Sequence, residues 1–239
     1  TKVRGYDTGK GTVIAVIDTG ITPDHEAFTA YDSMLNKAAI SKERAEAAIE
    51  KLGRGKYLSA KVPFSYDYYD KYNDATDDVS GHGTHVSGIA AGCVLSDDGA
   101  YEFAGSAPGA QILALKVFSS DPAERGTSSD VYLAALEDAY TLGADVINMS
   151  LGAQNGFVYD GIEEEVLNGI FTTLDEAGVI CCIAAGNEGS MADGESITGV
   201  PAGYVTSDYA DYGVVGSPST YDGNLSVASV DNAKYASPA

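Results

Sequence analysis

Two histidines lie three residues apart in the segment SGHGTHVSG, residues 80–88. The chain has only one other histidine, His25, so His82 and His85 are the main candidates for imidazole chemistry. An imidazole serves as a general base near neutral pH because its ordinary pKa is about 6.5. Gly81 and Gly83 leave the ring of His82 free to face a cleft at the first turn of a helix. His82 is therefore the predicted base, and His85 is expected to face the core or to brace the loop.

Two further polar groups follow strand-like runs. The run GTVIAVID (11–18) ends in Asp18, and the run GVICCIAAG (178–186) is followed by Asn187. The carboxyl ends of parallel strands meet at one sheet edge, where ligands bind. A carboxylate that orients an imidazole, the imidazole itself and an amide donor for an oxyanion are the groups that acyl transfer needs. The residues predict such a site.

The elements that must position these groups alternate between strands and helices. Continuous apolar runs of this length suit a parallel sheet buried on both faces. Their alternation with helices predicts right-handed crossovers and a doubly wound, mostly parallel α/β sheet with helices on both faces. The predicted strands are 11–18, 62–70, 111–118, 145–152, 178–186 and 224–231. The predicted helices are 41–52 (capped by Ser41), 82–92, 128–142 (with a Thr127/Asp130 capping box) and 161–177 (following Asp160, with Glu163 three residues after it).

Composition excludes several classes of protein. The net charge is −21, from 35 acidic and 14 basic residues. Such a surface repels nucleic acid and anionic membranes and suits basic substrates or bound cations. No apolar run is long enough to span a bilayer, and the first residues do not form a signal peptide. We therefore expect neither a nucleic-acid partner nor a membrane span.

The three cysteines, Cys93, Cys181 and Cys182, show no CxxC spacing. This spacing would be expected of a zinc knuckle. The residues are instead interpreted as small buried thiols, with Cys181 and Cys182 on opposite faces of a strand.

Four motifs resemble those of the subtilisin family of serine proteases. They are VIAVIDTGI around Asp18, GHGTHVSGIAAG around His82, NMSLG at 148–152 and AAGNEGS at 184–190, in the family's order. The resemblance extends over nearly all 239 residues. An insertion at about 31–61, predicted to be helical, and the segment 212–232 are similar to the cell-envelope proteases of Gram-positive bacteria, the lactocepin and C5a-peptidase group.

The resemblance implies a role for each matching position. Asp18 would orient the base, His82 would be the base, and Asn187 would donate its side-chain amide to the oxyanion. An extended protein or peptide substrate would pair with backbone groups beside the specificity pocket. The residues flanking that pocket would be Ser150, Leu151, Gly152, Ala184, Ala185 and Gly186.

The family's nucleophilic serine, usually in GTSMA, has no match after Asn187. The nearest string is GTSSD (126–130), and its Ser128 is better interpreted as part of a helix cap. We therefore expect residues 1–239 to be the N-terminal part of a subtilisin-like catalytic domain, inactive alone. Its serine would follow residue 239, after an inserted protease-associated domain. The resemblance also implies that the protein is secreted or attached to the cell envelope.

Three other functions have partial support in the sequence. A metal hydrolase would use His82 and His85 with Asp77, Asp78 or Asp24, but the HExxH pattern is absent. A nucleotide-binding module would need a phosphate-binding loop. The nearest string, GYDTGKG (5–11), matches a P-loop only loosely and precedes a strand, so this function is disfavoured. A non-catalytic peptide-binding or adhesion module on a protease scaffold is the main alternative. No cofactor is expected for the chemistry. A structural calcium ion at residues 70–78 is possible, although a solvated acidic loop is favoured.

Overall fold

The structure is a computed structural model that describes residues 8–29, 38–76, 80–121, 123–124, 126–153, 161–187 and 215–229. The chain divides into two compact units. The first unit contains residues 1–150 and 178–180, and the second contains residues 151–177 and 181–239.

Four parallel strands form the central sheet of the first unit. Every residue of the two longest strands is buried, which explains why their sequences are apolar without alternation. The four strands lie in the order β2-β5-β1-β6, and Asp18 at the end of β1 is opposite Lys116 at the end of β5. The strands of this unit are β1 (Val13–Asp18), β2 (Phe64–Asp67), β3 (Cys93–Leu95), β4 (Tyr101–Ala104), β5 (Gln111–Lys116) and β6 (Val146–Met149), and its helices are α1 (Lys42–Leu52), α2 (His82–Ala91) and α3 (Ser129–Leu142).

Both α2 and α3 pack against β1. Ile14 and Val16 belong to a buried cluster that also contains Ala91 of α2. Ala15 and Ile17 alternate with them along β1, so their side chains point to the opposite face, and they too are fully buried. The sheet is therefore covered on both faces, as the doubly wound α/β prediction requires.

Helix α1 is anchored to the rest of the first unit by a buried polar cluster. The helix begins after Ser41, whose hydroxyl accepts a hydrogen bond from the Arg44 amide, as predicted. Just beyond the helix, the guanidinium of Arg54 donates two hydrogen bonds to the carboxylate of Asp138 in α3, at 2.7 and 2.8 Å. The Tyr68 hydroxyl donates a third to the same carboxylate, also at 2.7 Å. These contacts satisfy a carboxylate that is almost fully buried.

The second unit contains helix α4 (Gly161–Glu176), strand β8 (Asn224–Val227) and all of the parallel strand β7 (Ile180–Ala184) except its first residue. Phe171 of α4 is fully buried, and its ring stacks on that of Tyr221. Cys181 is buried and Cys182 is half-buried, as expected of neighbours on opposite strand faces. Burial raises the pKa of the Cys181 thiol to about 12, which keeps it unreactive at neutral pH.

Two local predictions were incomplete or wrong. The antiparallel pair of β3 and β4 was not predicted, because all four residues of β4 are exposed and show no alternation. The cap of α3 is Ser128, whose hydroxyl hydrogen-bonds the Asp130 carboxylate and no backbone amide, so the Thr127/Asp130 capping box is absent. Asp160 lies outside the described residues. Within the described part of the chain, no helix is long and apolar enough to cross a membrane.

Candidate active site

Asp18 is the last residue of β1, and its side chain is only 1% exposed. Its Oδ1 atom accepts hydrogen bonds from the Thr19 amide and from the His82 ring, both at 2.7 Å. Among the described residues, Oδ2 has no hydrogen-bond partner. A buried carboxylate with one oxygen so fully occupied is held in a single orientation.

His82 is the first residue of α2, and its side chain is 50% exposed. Its Nδ1 atom is the one that contacts Asp18. An ionised carboxylate can only accept a hydrogen bond, so this contact places the proton of a neutral imidazole on Nδ1. The lone pair is then on Nε2, in the tautomer that a general base requires.

The environment of Asp18 opposes its ionisation. Burial raises the pKa of this carboxyl above its ordinary value, and the hydrogen bonds from His82 and Thr19 offset part of that effect. Nearby positive charge on the imidazole ring also favours the carboxylate. The pair is thus arranged so that a proton arriving on His82 stabilises the buried charge beside it.

Asn187 and most of the predicted pocket residues belong to the second unit. Asn187 is exposed and follows Gly186, which has a left-handed φ of 104°. Ser150 belongs to the first unit, where its hydroxyl accepts a hydrogen bond from the side-chain Nδ2 of Asn148 at 3.0 Å. The structure therefore brings Asp18 and His82 together within one unit, while Asn187 lies in the other.

Within the second unit, residues 216–217 join the two predicted pocket segments. The Ser217 amide donates to the Ala153 carbonyl, and the Gly216 amide donates to the Ala185 carbonyl at 2.7 Å. A side chain at Gly152 would place its Cβ 3.0 Å from the Ser217 carbonyl oxygen. These two residues were missed because they lie in an irregular segment, and only the Gly-Ser-Pro turn sequence marked it.

The expectation that His85 faces the core is wrong. His85 is exposed and lines a cavity of about 510 Å³ with His25, Glu26, Ile89 and Phe103. It lies one turn after His82, on a part of α2 that the central sheet does not cover. His25 is also exposed, and its Nδ1 accepts a hydrogen bond from the Ala27 amide at 3.2 Å.

The rival metal site receives no support from the described residues, which contain no group of three or more His, Cys, Asp or Glu side chains placed to hold a metal ion. In the acidic run, Asp70 accepts a hydrogen bond from the Ser120 amide, and Asp74 pairs with Lys56 at 3.0 Å. Asp77 and Asp78 lie outside the described residues.

Comparison with known proteins gives one family match and a set of curated relatives. Residues 9–239 match the model of the subtilase family, peptidase S8. The PI-type proteinase of Lactococcus lactis subsp. cremoris is 36% identical over 226 residues, which are 94% of this chain and 11% of that protein. The C5a peptidase of Streptococcus pyogenes is 36% identical over 225 residues, which are 92% of this chain and 18% of that protein. The chain thus spans less than a fifth of these relatives.

The fold also has solved counterparts. A psychrophilic subtilisin-like protease from the Antarctic psychrotroph Pseudoalteromonas sp. AS-11 superposes with a TM-score of 0.54 at 22% identity. The match covers 94% of this chain and 37% of that protein. This likeness confirms the predicted fold class.

Proposed function

Because this chain belongs to the subtilase family, we propose that it contributes the acid, the base and an oxyanion donor to a serine endopeptidase. The single observation that carries the proposal is the 2.7 Å contact between His82 Nδ1 and Asp18 Oδ1. This contact joins the last residue of β1 to the first residue of α2. It holds Nδ1 of the imidazole and leaves Nε2 to act as a base.

The proposed reaction begins at Nε2 of His82. This nitrogen takes the proton from a serine hydroxyl while the serine oxygen attacks the scissile carbonyl carbon. The imidazolium that forms is stabilised by the Asp18 carboxylate and then donates its proton to the departing amine. Water hydrolyses the acyl-enzyme by the same proton transfers, which returns the serine and the neutral imidazole.

Asn187 is proposed to donate its side-chain amide to the oxyanion, together with the serine's own amide. The typical loss when one such donor is removed is about 10²–10³-fold in kcat. Residues 150–152 and 184–186 are proposed to flank the bound peptide, whose backbone would pair with theirs. The support is the hydrogen bonding of residues 216–217 to Ala153 and Ala185, with Gly152 close to the Ser217 carbonyl oxygen.

None of these 239 residues lies in the family's serine motif, and the nearest string, GTSSD, places Ser128 at the N-cap position of α3. We therefore propose that the nucleophile lies outside this chain and that the chain alone is inactive. The proposed substrates are proteins or peptides, and the proposed location is the cell envelope or the exterior. None of these steps requires a cofactor. Calcium binding at residues 70–78 stays a prediction.

A fluorophosphonate probe tests the proposal, because it labels only an activated serine. The chain is extended through its serine segment and treated with the probe, as are its His82→Ala and His85→Ala variants. We expect labelling of the parent protein, none above background for His82→Ala, and near-parental labelling for His85→Ala. Equal labelling of the two variants would contradict the assignment of His82 as the base.

The same experiment addresses the alternative function. A folded, extended protein that the probe does not label would favour a non-catalytic peptide-binding module. In that case Asn187 and the segments beside it would be interpreted as a peptide-binding edge.

A further inference from the structure

The helix that carries His82 lacks a cap from its own sequence. The first amides of a helix have no partner within the helix and usually receive one from a Ser, Thr, Asp or Asn at the cap position. In α2 that position is Gly81, with a φ of 69° and no side chain to offer. The position of His82 must therefore be fixed by contacts from elsewhere in the fold.

Thr19 supplies the first of these contacts. Its hydroxyl oxygen accepts a hydrogen bond from the Gly83 amide at 2.9 Å. Its own amide donates to Asp18 Oδ1 at 2.7 Å. One residue thus contacts both the carboxylate and the first turn of the helix that carries the imidazole.

Thr84 and Thr22 supply the second contact. The Thr84 hydroxyl oxygen accepts a hydrogen bond from the Thr22 amide at 2.8 Å. The same hydroxyl donates to the Thr22 hydroxyl at 3.2 Å. These bonds join the second residue after His82 to the loop that leaves β1 just beyond Asp18.

Between these two contacts, the first turn of α2 packs against residues 18–20 with no room for an added side chain. A Cβ atom at Gly83 would lie 2.2 Å from the Gly20 carbonyl oxygen and 3.2 Å from the Asp18 Cβ. The first turn of α2 therefore lies directly on residues 18–20. Small displacements of the helix translate into changes in the distance between Asp18 and His82.

We propose that Thr19, Thr22 and Thr84 form a clasp that positions His82 against Asp18, so that Thr19 and Thr84 are positioning residues for catalysis. This inference rests on the proposed peptidase function. His82 is half-exposed, so the clasp holds its backbone while Asp18 holds its ring. A misplacement of about 1 Å in such a pair lowers the rate on the order of 100-fold.

The kinetic test uses the protein extended through its serine. Thr84→Val keeps the size of the side chain but removes the acceptor for the Thr22 amide, and kcat is expected to fall on the order of 10- to 100-fold with KM within about twofold. Thr84→Ser retains the hydroxyl and is expected to restore kcat. Thr19→Val removes the acceptor for Gly83 and should reproduce the kcat loss, which provides an independent variant if Thr84→Val does not fold.

Arg54→Met is the control for loss of stability alone, because it breaks the contact of Arg54, just beyond α1, with Asp138 of α3, and neither residue touches the clasp. It should lower the melting temperature and leave kcat unchanged. The clasp is rejected if Thr84→Val and Thr19→Val lower only the melting temperature, if Arg54→Met lowers kcat equally, or if Thr84→Ser fails to restore kcat.

A spectroscopic readout separates this proposal from that of the peptidase function. With ¹⁵N-labelled histidine, the 239-residue chain should show a downfield Nδ1–H resonance that His82→Ala removes. Thr84→Val should shift this resonance upfield or broaden it by exchange, whereas Thr84→Ser should not. A resonance that is neither shifted nor broadened in Thr84→Val contradicts the clasp. A shifted one supports it, even if the fluorophosphonate probe finds no active serine.

Discussion

The Asp18 carboxylate and the His82 imidazole are 64 residues apart in sequence and 2.7 Å apart in the structure. The contact joins a side chain that is almost completely buried to one that is half-exposed. The difference in exposure indicates a different role for each residue. The buried partner holds one ring nitrogen, and in the proposed mechanism the exposed partner presents the other to the serine hydroxyl.

Asp18→Asn should separate activity from stability. In the extended protein, kcat should fall by roughly 10⁴-fold, because an amide no longer enforces the required imidazole tautomer. The raised pKa of Asp18 means that the folded state binds its proton more tightly than the unfolded state does. Stability therefore falls as pH rises from the ordinary carboxyl pKa through the raised one, and this loss persists at neutral pH.

The measurement is a pair of thermal melts at pH 4 and pH 7 for the parent and the asparagine variant. Asparagine has no charge to bury, so its melting temperature relative to the parent should increase from pH 4 to pH 7. A difference that does not change with pH would show that burial of the Asp18 charge does not oppose folding.

Gly83→Ala should displace the helix that carries His82. The new Cβ would meet the Gly20 carbonyl oxygen at 2.2 Å, and a backbone atom cannot move away as a flexible side chain can. We expect a lower melting temperature and a kcat reduced on the order of 100-fold.

Gly88→Ala is the matched control in the same helix, since among the described residues no atom outside the helix's own nearby backbone and the adjacent residues lies within 4 Å of its added Cβ. It should maintain activity and change stability by at most about 1 kcal/mol. Equal losses in the two variants would mean that any alanine in α2 is harmful and that the contact with Gly20 is not the cause.

Local sequence patterns were sufficient to locate Asp18 and His82. A buried parallel strand is recognisable from a continuous apolar run, so the residue at its carboxyl end is known. A histidine between two glycines at the start of a helix has no neighbouring side chains to cover its ring, so the ring is expected to be exposed. Both features depend on residues within one turn or one strand.

The environment of His85 could not be predicted in this way. Helical spacing places it near His82 on α2, but its exposure depends on what covers that surface. One wall of the cavity beside His85 is Phe103 of β4, whose YEFA sequence has no buried residue and therefore no strand signal. The contact of residues 216–217 with Ala153 and Ala185 is likewise formed by an irregular segment, whose pairing no periodicity indicates.

Arg54→Met should destabilise the protein strongly. It leaves the nearly buried Asp138 carboxylate with the Tyr68 hydroxyl but without its two guanidinium hydrogen bonds. Breaking one partner of such a pair typically costs about 3 kcal/mol of unfolding free energy. Lys56→Met is the control, because Lys56 and Asp74 form an exposed pair for which a loss below about 1 kcal/mol is expected. Urea titrations of both variants measure the difference, and similar losses would contradict the structural role of Asp138.

Lys61→Met should reveal a buried amine through the pH dependence of stability. Lys61 is fully buried, donates hydrogen bonds to the Pro108 and Ala110 carbonyls, and has a pKa lowered by burial to about 7. Above that pH the unfolded chain retains a proton that the folded chain has lost, so stability rises with pH up to the ordinary lysine pKa. The unfolding free energy of the parent should therefore increase relative to Lys61→Met between pH 7 and about 10. A difference between the parent and Lys61→Met that stays constant over this range would mean that Lys61 remains protonated in the folded protein.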